Sequence, residues 1–116
     1  MKFNLIIILF SVFIHLFTSI TFAGDLLLGK EKADTVCSAC HGLDGQAVSG
    51  GNSPLIPNIT AQEKEYLVAK LKDYKSGKIN HPQMSLIAQM LSDADIENVS
   101  EWYSKIRIEI TLPSEE

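Results

Sequence analysis

The stretch Cys37-Ser38-Ala39-Cys40-His41 constrains this chain more than any other. It holds the only two cysteines among 116 residues, three positions apart, with a histidine directly after the second. Two thiols and an imidazole in this order read as covalent haem attachment, in which both sulfurs add to the haem vinyl groups and His41 binds the iron. On a helix, Cys37, Cys40 and His41 stand at i, i+3 and i+4, so all three point from one face toward one bound object. Two other chemistries use a Cys-x-x-Cys pair. A redox-active dithiol calls for a strand before the motif and has no need of the histidine, whereas a zinc site calls for a second ligand pair, for which only His81 is available. The haem reading uses both cysteines and the histidine.

The first 23 residues have the composition of an export leader: Lys2, an apolar run from Leu5 to about Phe17, and a small-residue exit at Thr21-Phe22-Ala23. This pattern is that of a secretory signal peptide cleaved after Ala23. An uncleaved membrane anchor is the rival, since Leu5 to Ala23 is nearly long enough to span a bilayer. Thr18 and Ser19 interrupt the span and favour cleavage, and membrane association follows only if the segment is retained. His15 lies inside this segment and is no site candidate.

Residues 24–116 then make one small domain. A domain of this size buries a modest share of its surface and often leans on a cofactor for additional core. Its nine basic residues against fourteen acidic give a charge of −5. Binding to nucleic acid rests on basic charge, so that partner is excluded. The balance suits steering toward a basic protein surface, an effect that salt weakens.

Along the domain, Leu26, Leu27, Gly29, Ala33, Val36 and Cys37 recur at helical spacing after Asp25, which predicts a helix from Asp25 to Ala39 that delivers the motif. Glycine at 29 costs up to about 1 kcal/mol within a helix; a close helix crossing or a tolerated glycine near a fraying end both account for it. From Gly42 to Ile59 the glycines, prolines and asparagines leave little room for regular structure. A loop of that length in a small domain is usually functional or wrapped around something, and Leu55, Ile56 and Ile59 are candidates to line a pocket. Thr60-Ala61-Gln62-Glu63 has the form of a capping box for a helix ending at Gly77. The lysines at 70, 72, 75 and 78 complement that helix's dipole and read as a solvated face in preference to a docking patch. A short helix from Met84 to Leu91 and a last helix capped by Ser92 complete the series, with Ile96, Val99, Tyr103 and Ile106 on one face and Trp102 at its border. Beyond Lys105, isoleucines and Leu112 alternate with Arg107, Glu109 and Thr111, which fits either an extended tail or a continued helix.

A haem held through His41 has a second axial position, and its ligand separates electron transfer from ligand chemistry. Met84 begins a short helix after a proline-containing loop. Met90 sits late in the same helix, where methionine usually fills core. His81, beside Pro82, would give two histidines and a lower potential, and an open position is the fourth alternative.

Taken together, the chain resembles the class I c-type cytochromes of the small bacterial periplasmic monohaem kind. The resemblance runs from Gly24 to about Lys105. It rests on Cys37-x-x-Cys40-His41-Gly42, Ile56-Pro57-Asn58-Ile59, Glu65-Tyr66-Leu67, Asp73-Tyr74-Lys75-Ser76-Gly77, Met84-x-x-x-Ala88-x-x-Leu91-Ser92-Asp93 and Trp102-Tyr103. It implies an all-α cytochrome c fold, about four helices wrapped around one covalently attached haem c, in the periplasm. His41 would be the proximal ligand, the Pro57 carbonyl would hold its other ring nitrogen, and Met84 would be the distal ligand. Gly29 would meet Trp102 or Tyr103 where the first and last helices cross. Some members of the resembled family carry an arginine near the Gly77 turn for a haem propionate; Lys78 and Ile79 stand there in this chain.

These readings give a one-electron carrier that is not an enzyme and that docks transiently with redox proteins such as an oxidase, reductase or dehydrogenase. The rival is a haem-bearing electron-acceptor subunit of a periplasmic dehydrogenase, for example one oxidising sulfur compounds. A peroxidase or gas-binding protein would need an exchangeable sixth position.

Overall fold

The computed structural model describes residues 23–51 and 53–113, so the leader expected over residues 1–23 lies outside it apart from Ala23. The Asp25 carboxylate starts the first helix, accepting the N–H groups of Leu27 and Leu28 at 2.8 and 3.0 Å in the manner of an N-cap. From there α1 (Leu26–Lys32) passes without a break through a π-helical turn (Ala33–Cys37) into α2 (Ser38–His41). The uninterrupted α-helix expected here is therefore widened in its middle, where the Ser38 N–H donates to the Ala33 carbonyl five residues back. Hydroxyls occupy carbonyls around the widened turn: Thr35 donates to Glu31 at 2.9 Å and Ser38 to Asp34 at 2.7 Å. Gly29, Ala33 and His41 are buried and Cys37 half-buried, one position in every four.

Three further helices follow: α3 (Lys64–Lys75), α4 (Met84–Met90) and α5 (Asp93–Lys105), with a short 3-10 turn at Ala47–Ser49. Among the described residues there is no strand, and the fold is all-α. None of the helices described is long and apolar enough to cross a membrane.

α5 is the hub. It begins with a capping box in which the Ser92 hydroxyl accepts the Asp95 N–H at 3.0 Å and the Asp95 carboxylate accepts the Ser92 N–H at 2.9 Å. Ile96, Val99 and Tyr103 are buried on one face. Where α1 crosses α5, a Cβ at Gly29 would overlap the Asn98 carbonyl and come within 3.2 Å of the Trp102 Cβ. The buried Asn98 side chain also accepts the Asp25 N–H at 2.7 Å. The glycine is thus explained by the crossing, with Asn98 and Trp102 against it in place of Tyr103, which turns elsewhere. A cluster of Ala33, Leu67 and Tyr103, packed by Cys37, Leu43, Ile59, Trp102 and Ile106, joins the π-helical turn, α3 and α5.

Two local expectations are corrected. The Thr60 hydroxyl does not cap α3; it donates to the Asp44 carbonyl at 2.6 Å, while Ala61 turns to φ +54° and donates its N–H to the Tyr103 carbonyl. Glu63 takes the cap position with no side-chain hydrogen bond, because a tertiary partner has claimed the hydroxyl. The lysine run is also more than a solvated face. Lys72 pairs with Glu97 at 3.3 Å and Lys75 with Asp93 at 2.8 Å, and Lys64 bridges Glu97 and Glu101, so ion pairs clasp α3 to α5. Lys32 reaches Asp95 from α1 at 3.2 Å. After Lys105 the helix stops: Ile106 is extended at φ −64°, ψ 135°, and packs on the core, while Ile108, Ile110 and Leu112 are exposed.

Two outcomes follow from this packing. Gly29→Ala should lower unfolding free energy by about 2 kcal/mol, the middle of the range for overpacking, as read by denaturant melts. Gly77→Ala, strained only by φ +77° with open space around it, should cost about 1 kcal/mol. Acid should also loosen α5. Burial pushes the Asp95 carboxyl up, but the Ser92 N–H and hydroxyl and the Lys32 ammonium outweigh it and hold it below its ordinary value; the hydrogen bond from Lys64 lowers Glu101 in the same sense. Both groups bind protons less tightly when folded, so their stabilisation is complete above the ordinary carboxylate range near pH ~4 and is lost as pH falls through the depressed folded values. Asp95→Asn should be less stable than the parent by up to about 1 kcal/mol at pH 7, and the two unfolding midpoints should converge on acidification.

Candidate functional site

The turn that ends the first helical arm presents three side chains of graded exposure: His41 is buried, Cys37 half-buried and Cys40 exposed. The His41 Nδ1 lies 3.0 Å from the Pro57 carbonyl. A carbonyl only accepts, so Nδ1 carries the proton and Nε2 keeps its lone pair for a metal. The two residues are sixteen apart in the chain, and the loop between them brings them together.

That loop is tied at every stage. Gly42 leaves the helix at φ +74°, and its carbonyl accepts the Tyr103 hydroxyl at 3.0 Å; the next carbonyl, Leu43, accepts the Trp102 indole N–H at 2.9 Å. The Gly51 N–H donates to the Cys40 carbonyl at 3.0 Å, and a Cβ at Gly50 would meet the Cys40 and Ser38 carbonyls at 2.6 Å. Gly50 therefore lets the backbone lie directly under the cysteine turn. The Asn58 side chain accepts the Ala47 N–H at 2.9 Å, and the Ile59 N–H donates to the Gly45 carbonyl at 2.8 Å, which carries Pro57 to His41.

Cys37 lacks the activated character of a redox nucleophile. Burial pushes the Cys37 thiol up to about 11, against smaller opposing effects of Tyr103 and Lys32. Redox-active cysteines need a lowered value and an electropositive surrounding. The same burial, with Cys37 beside it, raises Tyr103. Among the described residues no three His, Cys, Asp or Glu side chains converge on one point, so the donor set of a zinc site is not assembled either.

Met84 is half-buried at the first position of α4, whereas Met90 is 72% exposed at its end. His81 does something its sequence context did not announce. Its Nδ1 accepts the backbone N–H groups of Gln83 and Met84 at 3.3 and 3.2 Å, while its own N–H and carbonyl hold Ser85. The ring also meets Tyr74 edge-on with centroids 5.9 Å apart. His81 is thus the strap that starts the Met84 helix. Histidine is not among the usual capping residues, so no composition rule pointed to it. Lys78 is drawn to Asp73 at 3.0 Å.

Leu55, Ile56 and Ile59 do not line one pocket as expected: Ile59 packs on the core, Ile56 borders a cavity of about 340 Å³ with Ala47, Val48 and Pro54, and Leu55 is 89% exposed. Val48, Leu86 and Met90 are exposed as well. Large apolar side chains exposed on the 42–59 loop, in the same chain as two cysteines and a histidine with an available Nε2, are what an apolar macrocycle attached at Cys37 and Cys40 would cover. The residues present fit a covalent haem.

Comparison with known proteins agrees with this geometry. The family profile described as Cytochrome c matches residues 26–106. Cytochrome c-554(548) of Halomonas halodenitrificans is 42% identical over 85 residues, covering 71% of this chain and 96% of that protein. The thiosulfate dehydrogenase electron acceptor of Stutzerimonas stutzeri is 32% identical over 72 residues, covering 62% of this chain and 32% of its own length. Among solved structures, reduced cytochrome c4 from Pseudomonas stutzeri superposes with a TM-score of 0.64 at 31% identity, over 73% of this chain. The chain spans 47% of the cytochrome c4 chain and nearly all of cytochrome c-554(548). From the Asp25-capped helix to the end of α5, this all-α chain belongs to the cytochrome c family of electron-transfer proteins.

Proposed function

We infer that the chain is a periplasmic one-electron carrier holding one haem c through Cys37 and Cys40, with His41 and Met84 as axial ligands. The observation that carries this reading is the hydrogen bond from His41 Nδ1 to the Pro57 carbonyl, which orients the ring and leaves Nε2 as the metal-binding nitrogen. The haem supplies a one-electron iron couple. Around it the chain's part is to hold still. Pro57 fixes the imidazole, Trp102 and Tyr103 pin the backbone after it, and the His81 strap sets the start of α4, where Met84 stands. Little reorganisation on a change of charge is what outer-sphere transfer asks of the protein. The acidic domain suits transient docking on a basic redox partner, and residues 1–23 suit export by a cleaved leader.

A second reading has a specific support. One relative is named as the electron acceptor of thiosulfate dehydrogenase, and this chain in a permanent complex with such a dehydrogenase would account for its exposed apolar tail. Purification from the native source decides: a second polypeptide in stoichiometric amount favours the subunit, and its absence favours the carrier.

Two substitutions test the ligands. Met84→Ala should abolish the far-red charge-transfer band of methionine-ligated ferric haem and open the reduced protein to carbon monoxide, while Met90→Ala leaves both properties as in the parent. Retention of the band in Met84→Ala would remove Met84 from the site. The Cys37→Ala, Cys40→Ala double variant should contain no covalent haem after acid–acetone extraction.

A further inference from the structure

Residues 106–113 are a segment that neither the site nor the fold uses beyond Ile106. The family match ends at Ile106, where the side chain packs on the core cluster. After it, Ile108, Ile110 and Leu112 are 51%, 76% and 79% exposed, and no regular structure is formed as far as Pro113. Among the described residues, none donates or accepts a backbone hydrogen bond with Arg107 to Leu112. The composition is that of a strand: isoleucine, threonine and leucine, with apolar residues at every second position. An extended apolar segment with unpaired N–H and C=O groups is a template for another strand.

We propose that this segment pairs antiparallel with the same segment of a second copy of the chain, in the register that sets Ile108 opposite Ile108 of the other copy. Charge selects both partner and register. Arg107 is the only arginine of the chain, and Glu109 follows two residues later on the same face. Centred on Ile108, each Arg107 stands opposite a Glu109 of the other copy, giving two cross-strand ion pairs, and Ile106 stands opposite Ile110. Shifting the centre to Glu109 sets two glutamates against each other; it is disfavoured by like charge. The apolar side chains of the pair lie on the face that Ile106 already turns toward its own core, so the two domains shield the isoleucines. Pro113, which has no N–H to give, ends the ladder. The interface is short, well below the size of permanent ones, so association belongs to the high-micromolar range and above.

Sedimentation velocity of the haem-loaded protein from 10 µM to about 1 mM tests this. The parent should shift toward dimer as concentration rises. Glu109→Arg, which places arginine against arginine, should weaken association at least tenfold, and the swapped pair Arg107→Glu, Glu109→Arg should restore it. All three proteins should share one visible spectrum, since the tail lies outside the haem site. A parent that stays monomeric throughout, or a Glu109→Arg variant that dimerises as well as the parent, overturns the proposal. So does a swapped pair that fails to recover association with its spectrum and helicity intact. Capture of the tail by a different protein while the parent remains monomeric would likewise count against it.

Discussion

Two hydrogen bonds from the last helix hold the turn on which the chemistry depends. Trp102 and Tyr103, adjacent on α5, reach across to the carbonyls of Leu43 and Gly42, the first backbone acceptors beyond the Cys37–His41 turn. A helix leaves its last carbonyls without partners, and burying one unsatisfied costs about 1–3 kcal/mol. Trp102 satisfies the Leu43 carbonyl, Tyr103 adds a second donor to the Gly42 carbonyl that already accepts the Gly45 N–H, and together they fix where the chain goes next. Gly42 is free to turn at φ +74°, the loop starts from a defined point, and Pro57 returns to His41. Losing either donor would loosen the start of the loop that brings Pro57 back, without touching the histidine.

The charged surface serves the same rigidity. Most lysines on α3 are engaged by carboxylates on α5, and Lys32 does the same from α1. Pairs of this kind are individually weak at an exposed surface. Their arrangement matters more than their sum: they leave the excess negative charge of the domain on the other surfaces, where Glu31, Asp34, Glu63 and Glu65 are exposed or nearly so. A partner would meet a field whose sign is set by these remaining groups.

Much of this was legible in the residues, and the failures have physical reasons. The five-residue motif names its cofactor because few other chemistries need both thiols and the following histidine. Helix ends governed by local rules, such as the Ser92 cap and the Gly77 stop, emerged where expected. Thr60 did not, since a hydroxyl able to cap a helix can equally close a tertiary contact. His81 as a strap and Asn98 as the acceptor at the helix crossing were also missed. The first is a local bond made by a residue outside the usual capping set, and the second depends on where a distant backbone N–H comes to rest, which periodicity does not encode. The split of Leu55, Ile56 and Ile59 shows the same limit in a loop, where no repeat tells one side from the other.

The widened turn in the first helical arm has a consequence for phase. An α-helix advances about 100° per residue, so the twelve steps from Gly29 to His41 would leave their directions about 120° apart in an unbroken helix. A π turn holds about one residue more than an α turn, and removing one step from the count leaves about 20°. The bulge is thus a phase corrector: it lets the position pressed against Asn98 and the histidine of the motif share one side of a single rod. Deleting one residue between Ala33 and Cys37 would let the rod close into a regular α-helix. The motif would stay in phase, because eleven α-helical steps leave Gly29 and the histidine about 20° apart.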